Sequence, residues 1–239
     1  MSRSWKAISL GAGLLLLAGI LLSVSCSSSG STRFRFMNAM PDQNSLDVLL
    51  NATATTTPTF SNVAYATATA YQSGPSGSQQ IEIEPSGSSA VIPGTPQAVD
   101  IASGDNTVIA FNFTPSVKIL GFADNNSTPA TNDFNIRFID ASPALGTSGP
   151  AVDIYIETPP GTAINNLSPT VSGLSFQAAS SYVALAGGNW EVTVTAKGQK
   201  FPAFPSTGSL TFTAGQVRTF VILNSQGGGE TYSMLSDLN

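Results

Sequence analysis

The feature that most constrains the fold of this chain is an internal repeat. The segment Arg35–Pro41 (RFMNAMP) is matched by Arg137–Pro143 (RFIDASP). A second match follows in each copy, between Leu46–Leu49 (LDVL) and Val152–Tyr155 (VDIY). Because self-similarity of this kind is the signature of repeated structural units, the sequence predicts two copies of one fold.

The spacing between the copies sets the predicted domain boundaries. Arg35 and Arg137 are 102 residues apart, whereas later matches such as Gly104 and Gly215 are 111 residues apart. The second copy has therefore gained nine residues, which we place around 145–150 and 158–168. We predict one domain at 32–124, a linker at 125–132 and a second domain at 133–239.

Within each copy the hydrophobic period is two. Apolar and polar side chains alternate along Ile81–Glu84 and Trp190–Thr195, and clusters of Gly, Pro, Ser and Asn interrupt such runs. The runs at 107–113 and 219–223 are almost continuously apolar. Short alternating strands between turn residues are typical of β-sandwiches. We therefore predict an all-β protein of two tandem immunoglobulin-like β-sandwich domains.

The N-terminal residues have the parts of a secretory signal. Arg3 and Lys6 precede an apolar run over 7–24, and Cys26 follows at the end of that run. This arrangement resembles a bacterial lipoprotein signal, in which the cysteine is lipidated and becomes the new N-terminus. We predict a signal peptide at 1–25, lipid attachment at Cys26 and a Ser-rich tether at 26–31. The alternatives are plain secretion and an uncleaved membrane anchor, since 18 apolar residues are near the lower limit for spanning a bilayer.

Composition excludes several classes of site. The chain has no histidine and one cysteine, which excludes His-dependent catalysis, intramolecular disulfides and multi-Cys metal centres. Without Arg3 and Lys6, seven basic and 14 acidic residues remain, a net charge of −7. This charge argues against nucleic acid as a partner. We expect no cofactor and no resident metal.

The repeated segments also resemble a known family. Arg35–Pro41, Arg137–Pro143, Val152–Tyr155 and the strand entry Thr213–Gly215 together are similar to the family called domain of unknown function 4397. The resemblance implies secreted or lipid-anchored bacterial β-domains, often in tandem. It implies no activity, and therefore no functional residues to carry over.

One pair of charges recurs in both copies. Arg35 and Asp47 of the first copy correspond to Arg137 and Asp153 of the second. Each lies on the outward phase of its strand, so adjacent strands would place each pair together on a sheet face. We expect two structural ion pairs, Arg35–Asp47 and Arg137–Asp153, with a ligand-binding arginine as the alternative.

Three further sets of residues have the chemistry of a possible site. Carboxylates near the domain junction suit calcium, although their spacing matches no known calcium loop. Four glutamates on strands have the chemistry of a glycosidase acid–base pair, but their alternation with apolar residues is typical of a solvated face. Four aromatic residues are candidates for carbohydrate stacking, with Trp190 expected in the core and Tyr155 outward. The residues concerned are Asp100, Asp105, Asp124 and Asp133; Glu82, Glu84, Glu157 and Glu191; and Tyr155, Tyr182, Trp190 and Tyr232.

The sequence thus favours a non-catalytic protein, lipid-anchored to the bacterial envelope and facing away from the cytoplasm. Ser27 after the cysteine favours the outer membrane. The expected role is structural, adhesive or partner-binding, with a protein or polysaccharide as partner. The alternative is a polysaccharide-binding or carbohydrate-active accessory protein.

Overall fold

The structure is a computed structural model that describes residue 1 and residues 31–53, 56–146, 151–202 and 206–238. The predicted signal peptide beyond Met1, the lipidation site Cys26 and the tether up to Gly30 lie outside the described residues. Within the described ranges, no helix is both long and apolar enough to cross a membrane.

The described residues form β-strands with two short helical turns. The strands are β1 (Arg33–Ala39), β2 (Ser45–Leu50), β3 (Phe60–Ala64), β4 (Gln72–Ser73), β5 (Gly77–Pro85), β6 (Gln97–Ile101), β7 (Asp105–Phe111), β8 (Lys118–Ala123), β9 (Asp133–Asp140), β10 (Val152–Glu157), β11 (Val171–Leu174), β12 (Val183–Ala186), β13 (Gly188–Ala196), β14 (Leu210–Phe212), β15 (Val217–Asn224) and β16 (Glu230–Leu238). The helical turns are α1 (Pro143–Gly146) and a 3-10 helix at Ile164–Asn166.

The strands make four sheets with one repeated topology. The order β4-β1-β7-β8 recurs as β12-β9-β15-β16, and β3-β2-β5-β6 recurs as β11-β10-β13-β14. In each copy the first strand pairs in parallel with the seventh, β1 with β7 and β9 with β15. Two sheets per copy, each of four strands, confirm the predicted all-β fold of two tandem sandwiches.

Each sandwich has its own apolar core. In the first, alternate residues of β1 such as Phe34 and Phe36 pack against Ile81 and Ile83 of the facing sheet. In the second, Phe134 and other residues of β9 face their counterparts on β10 and β13. Interdigitation of two inward faces is the usual basis of sandwich stability.

A third apolar layer joins the two sandwiches. Met37 and Phe111, on the face of their sheet that points away from the first core, pack in one cluster with Ile139 and Val221 of the second copy. We call the two sheets that meet here the inner sheets and the other two the outer sheets. Because both faces of the inner sheets are covered, β7 and β15 have the nearly continuous apolar sequence of strands buried on two sides.

Two repeated glycines mark the entry to the long inner strands. Gly104 has φ 92° and Gly215 has φ 88°, each just before β7 or β15. L-residues with side chains rarely adopt this left-handed conformation. The match between Gly104 and Gly215 in the sequence therefore reflects the same tight turn in each copy.

Candidate functional site

Arg35 is buried where the two inner sheets meet. Its side chain is 4% exposed and pairs with the fully buried carboxylate of Asp237 from the second copy. Its Nη1 donates to the Ser236 carbonyl at 2.9 Å and its Nε to the Thr107 hydroxyl at 2.9 Å. One guanidinium therefore bonds both to its own sandwich and to the other.

Arg137 makes the same contacts in the opposite direction. Its side chain is 3% exposed and pairs with the buried carboxylate of Asp124, at the end of the first copy. Its Nη1 donates to the Ala123 carbonyl at 2.9 Å and its Nε to the Thr219 hydroxyl at 2.8 Å. The two arginines are thus related by pseudo-twofold symmetry, because each one binds a carboxylate of the sandwich to which the other belongs.

The carboxylates are held by their own sandwich. Asp124 accepts hydrogen bonds from the Tyr71 hydroxyl at 2.6 Å and the Thr107 hydroxyl at 2.8 Å. Asp237 accepts from the Tyr182 hydroxyl at 3.1 Å and the Thr219 hydroxyl at 2.6 Å. We call these eight residues the reciprocal network. They are Arg35, Tyr71, Thr107, Asp124, Arg137, Tyr182, Thr219 and Asp237.

The tyrosine rings complete the network. The Arg35 guanidinium carbon lies 4.7 Å from the Tyr71 ring centre, and that of Arg137 lies 5.1 Å from the Tyr182 ring centre. Burial, and then the charge of Asp124, raise the pKa of the Tyr71 phenol above its ordinary value. Burial likewise raises the pKa of Tyr182. Both phenols therefore stay protonated and act as donors to the carboxylates.

The predicted pairs Arg35–Asp47 and Arg137–Asp153 are wrong. Both arginines do point away from the core of their own sandwich, but β1 and β2 belong to different sheets, as do β9 and β10. Each arginine therefore lies on an inner sheet and its expected aspartate on an outer sheet. Each arginine instead forms an ion pair with a carboxylate of the other copy.

Asp47 and Asp153 organise turns. Asp47 accepts from the Asn62 amide at 2.7 Å, the Ser86 hydroxyl at 2.9 Å and the Gly87 amide at 3.2 Å. Burial opposes ionisation of Asp47, but these hydrogen bonds together hold its pKa below the ordinary value. The recurrence of this aspartate therefore has a local structural cause.

Asp153 organises the equivalent turns in the second copy. It accepts from the Ser172 hydroxyl at 3.0 Å and from the amides of Gly173 and Gly198, each at 2.8 Å. Burial again opposes ionisation, and the amide bonds from Gly198 and Gly173 hold the pKa of Asp153 below its ordinary value.

One equivalent position differs in charge. Asn38 is buried and donates from Nδ2 to the carbonyls of Gln43 and Val63, while its Oδ1 accepts from the Met40 amide. At the same position of the second copy, Asp140 Oδ1 accepts from the Ser142 amide at 3.0 Å, and Oδ2 is buried without a hydrogen-bond partner among the described residues. Burial raises the pKa of Asp140 to about 7.

The outer sheets present different surfaces in the two copies. In the first sandwich an open groove of about 460 Å³ is lined by Leu49, Pro58, Glu82 and Glu84, among others. In the second, Tyr155 is 2% exposed, because Lys200 lies 4.4 Å from its ring centre and donates to its hydroxyl at 2.9 Å. The expectation that Tyr155 is outward is correct in phase, but its ring is covered.

The other aromatic candidates are engaged in packing. Trp190 meets Phe134 edge-on at 6.3 Å, in agreement with its expected place in the core. Tyr232 stacks on Phe220 at 4.7 Å. Tyr182 belongs to the reciprocal network. These contacts give each of the three rings a structural role.

Two of the acidic residues considered for calcium, Asp105 and Asp124, have cationic partners within the chain. Asp105 pairs with Arg33 at 2.6 Å, and Asp124 pairs with Arg137. Among the described residues, no three His, Cys, Asp or Glu side chains come together in a metal-binding group. Asp105 and Asp124 therefore have cationic side chains as partners, so neither needs a calcium ion to compensate its charge.

Sequence reasoning missed half of the network, although the repeat contains it. Tyr71 and Tyr182 are separated by 111 residues, Thr107 and Thr219 by 112, and Asp124 and Asp237 by 113. The missing information was which copy each side chain contacts. Alignment of the copies shows which residues are equivalent, but it does not show that the arginine of one copy contacts the carboxylate of the other.

Comparison with known proteins adds a family but no activity. No curated protein matches the chain. Among solved structures, a leucine-rich repeat protein from Bacteroides thetaiotaomicron is 14% identical, with a TM-score of 0.21 over 80% of this chain and 26% of that chain. The chain thus spans about a quarter of that protein, and a likeness this low supports no inference about fold or function.

A family model described as a domain of unknown function (DUF4397) matches residues 32–155. The matched region includes all of the first sandwich and the second as far as Tyr155, so both arginines of the reciprocal network lie within it. It covers just over half of the chain, which confirms the resemblance seen in the repeated segments: this protein belongs to the DUF4397 family.

Proposed function

We propose that this protein is a non-catalytic envelope protein, anchored by a lipid on Cys26, whose two sandwiches act together as a structural or partner-binding unit outside the cytoplasm. The signal-like N-terminus and the single cysteine at its end support the anchor. A chain of net charge −7 after processing is repelled by anionic membrane surfaces, so a lipid rather than a basic patch would hold it there.

The observation that carries this proposal is the reciprocal network. The polar residues that recur in both copies bind one another in the buried interface and hold the sandwiches together. Removing one partner of a buried ion pair costs about 3–5 kcal/mol, so each pair resists separation of the two domains. This use of the recurring residues favours a rigid two-domain body over a reaction centre.

The acid–base alternative has weak geometric support. Glu157 and Glu191 face each other across β10 and β13, but Glu157 is only 3% exposed. A substrate would have to displace the chain that covers this carboxylate. The pair is therefore a poor match to a glycosidase, whose acid and base flank an accessible bond.

The polysaccharide-binding alternative needs an exposed row of aromatic rings. The aromatic residues that are strongly exposed in the described part of the chain are Phe113 and Phe201, which lie on different sandwiches. Tyr155, the best candidate from the sequence, is covered by Lys200. The described surface thus favours a scaffold or protein-binding role.

Fatty-acid labelling in cells tests the anchor. Wild type should incorporate a clickable fatty acid and fractionate with membranes, and Cys26→Ala should lose both properties. Ser27→Ala, one residue away, is the matched control and should behave as wild type. Equal labelling of wild type and Cys26→Ala would contradict the proposal.

Co-purification tests the partner class. The tagged, processed protein is recovered from detergent-solubilised envelope and, separately, sedimented with insoluble envelope polysaccharide. We expect stoichiometric recovery of a protein partner and no sedimentation. Sedimentation with polysaccharide would instead support the carbohydrate-binding alternative.

A further inference from the structure

The outer sheet of the second sandwich contains a buried carboxylate that has no cationic partner among the described residues. Glu157, the last residue of β10, is 3% exposed, and both of its carboxylate oxygens are buried. Neither oxygen has a hydrogen bond of normal geometry within the described ranges, although the Thr193 hydroxyl is close enough to favour the ionised form. A buried ionised carboxylate is strongly unfavourable unless donors or a cation compensate it.

A second carboxylate lies directly opposite. Glu191 on β13 is the cross-strand partner of Glu157 in the register. Residues so paired have Cβ atoms about 4.5–5.5 Å apart, so the two side chains share one site on the sheet face. Glu191 is held in place by the Gly161 amide at 2.5 Å and by the Ser206 hydroxyl.

Lys200, a cation on this face, is used elsewhere. Lys200 lies over Tyr155, and its ammonium donates to the Tyr155 hydroxyl at 2.9 Å and to the carbonyls of Ile164 and Leu167 at 3.1 and 2.5 Å. None of the ion pairs found among the described residues includes Glu157 or Glu191. The fold thus brings together two acidic side chains, and neither has a cationic partner among the described residues.

The first sandwich shows that this arrangement is particular to the second copy. Alignment on Asp47 and Asp153 places Asn51 where the second copy has Glu157. The Asn51 backbone N–H donates to the Gln80 backbone carbonyl at 2.7 Å, and the Gln80 backbone N–H donates to Asn51 Oδ1 at 2.9 Å. The side chains of Asn51 and Gln80 are neutral, so this pair of positions needs no counter-charge in the first sandwich.

We propose that Glu157 and Glu191 bind a divalent cation of the calcium class on the outer sheet of the second sandwich. Carboxylate and hydroxyl oxygens are the ligands that such hard cations prefer, and Thr193, opposite Tyr155 and two residues from Glu191 on the same face, adds a hydroxyl. Two carboxylates are few for such a site, so we expect a dissociation constant on the order of 0.1–1 mM, as in extracellular modules.

Thermal unfolding with calcium tests this site in the protein expressed from residue 27 onward. At pH 8 and constant ionic strength, added CaCl₂ should raise the Tm of wild type by several degrees, with a midpoint near the expected dissociation constant. Glu157→Gln should remove the calcium response and raise the Tm in calcium-free buffer, because a buried charge is gone. Terbium luminescence excited through tyrosine should appear in wild type and be lost in Glu157→Gln.

Glu84→Gln is the matched control. Glu84 lies on the outer sheet of the first sandwich, directly opposite Asp47, so it is also one of two acidic residues paired across strands. This variant should keep the full calcium response. An unchanged Tm of wild type in calcium, or an equal response in Glu157→Gln, would overturn the proposal. A Tm rise on acidification from pH 8 to 6 that disappears in Glu157→Gln, together with no response to calcium, would also overturn it and show that Glu157 is held as a neutral acid.

Discussion

The inner and outer sheets of this protein have diverged to different extents. The inner sheets carry the same arginine, tyrosine, threonine and aspartate in both copies, each contacting the other sandwich or holding the residue that does. The outer sheets share the turn-forming Asp47 and Asp153, but they differ in loop length, charge and exposure. A side chain on an inner sheet must fit a partner in the other copy, whereas the outer sheets face solvent or their own loops and can change independently.

The largest expected effect comes from breaking the reciprocal network. Arg35→Ala leaves the buried carboxylate of Asp237 without its cation, so we expect a loss of about 3–5 kcal/mol in the free energy of unfolding. Arg33→Ala is the matched control on the same strand, because Arg33 pairs with Asp105 but its side chain is 48% exposed. That control should cost under about 1 kcal/mol by urea denaturation. Equal losses in the two variants would show that the interface does not bury the Arg35 pair.

The next effect concerns Asn38 and Asp140. Because the pKa of Asp140 in the folded protein is about 7 and its ordinary value is 3.8, the folded state holds a proton that the unfolded state releases. The stabilisation is complete below about pH 4 and is lost as pH rises through 7. Asp140→Asn should therefore match wild type at pH 4 and exceed it by roughly 2–4 kcal/mol at pH 8.

Urea denaturation at both pH values measures the Asp140 effect. The reverse change, Asn38→Asp, is the control and should introduce the same decline with pH in the first sandwich. A constant difference between Asp140→Asn and wild type at pH 4 and 8 would contradict a raised pKa at Asp140.

The smallest effect concerns the tyrosine donors. Tyr71→Phe and Tyr182→Phe keep the rings beside Arg35 and Arg137 but remove the hydrogen bonds to Asp124 and Asp237. Since each carboxylate keeps an arginine and a threonine, we expect about 1 kcal/mol for each variant. Thermal unfolding should show similar losses for both, and a large loss in only one would indicate that the pseudo-twofold equivalence fails at this level.

The sequence was sufficient to predict the fold but not the interface. Alternation along Ile81–Glu84 and the turn residues between strands depend on local geometry, so they predicted strands and two sandwiches. The repeat also identified Arg35 and Arg137 as special. Which carboxylate each arginine meets depends on how one sandwich packs on the other, and strand periodicity contains no information about that packing.

The outer site shows the same limit. Glu157 lies on a strand as expected, but the alternation of the sequence does not predict that its side chain is only 3% exposed. The pairing of Glu157 with Glu191 depends on strand register, which turn lengths and long-range packing determine together. Both features require the assembled sandwich.

The central claim is that each arginine is coupled to a carboxylate of the other sandwich. Two double-mutant cycles on the free energy of unfolding test it directly, one with Arg137→Ala and Asp124→Ala and one with Arg137→Ala and Asp153→Ala. We predict a coupling on the order of 1.5–3 kcal/mol for Arg137 with Asp124, and within about 0.5 kcal/mol of zero for Arg137 with Asp153. Coupling to Asp153, or its absence with Asp124, would contradict the reciprocal network.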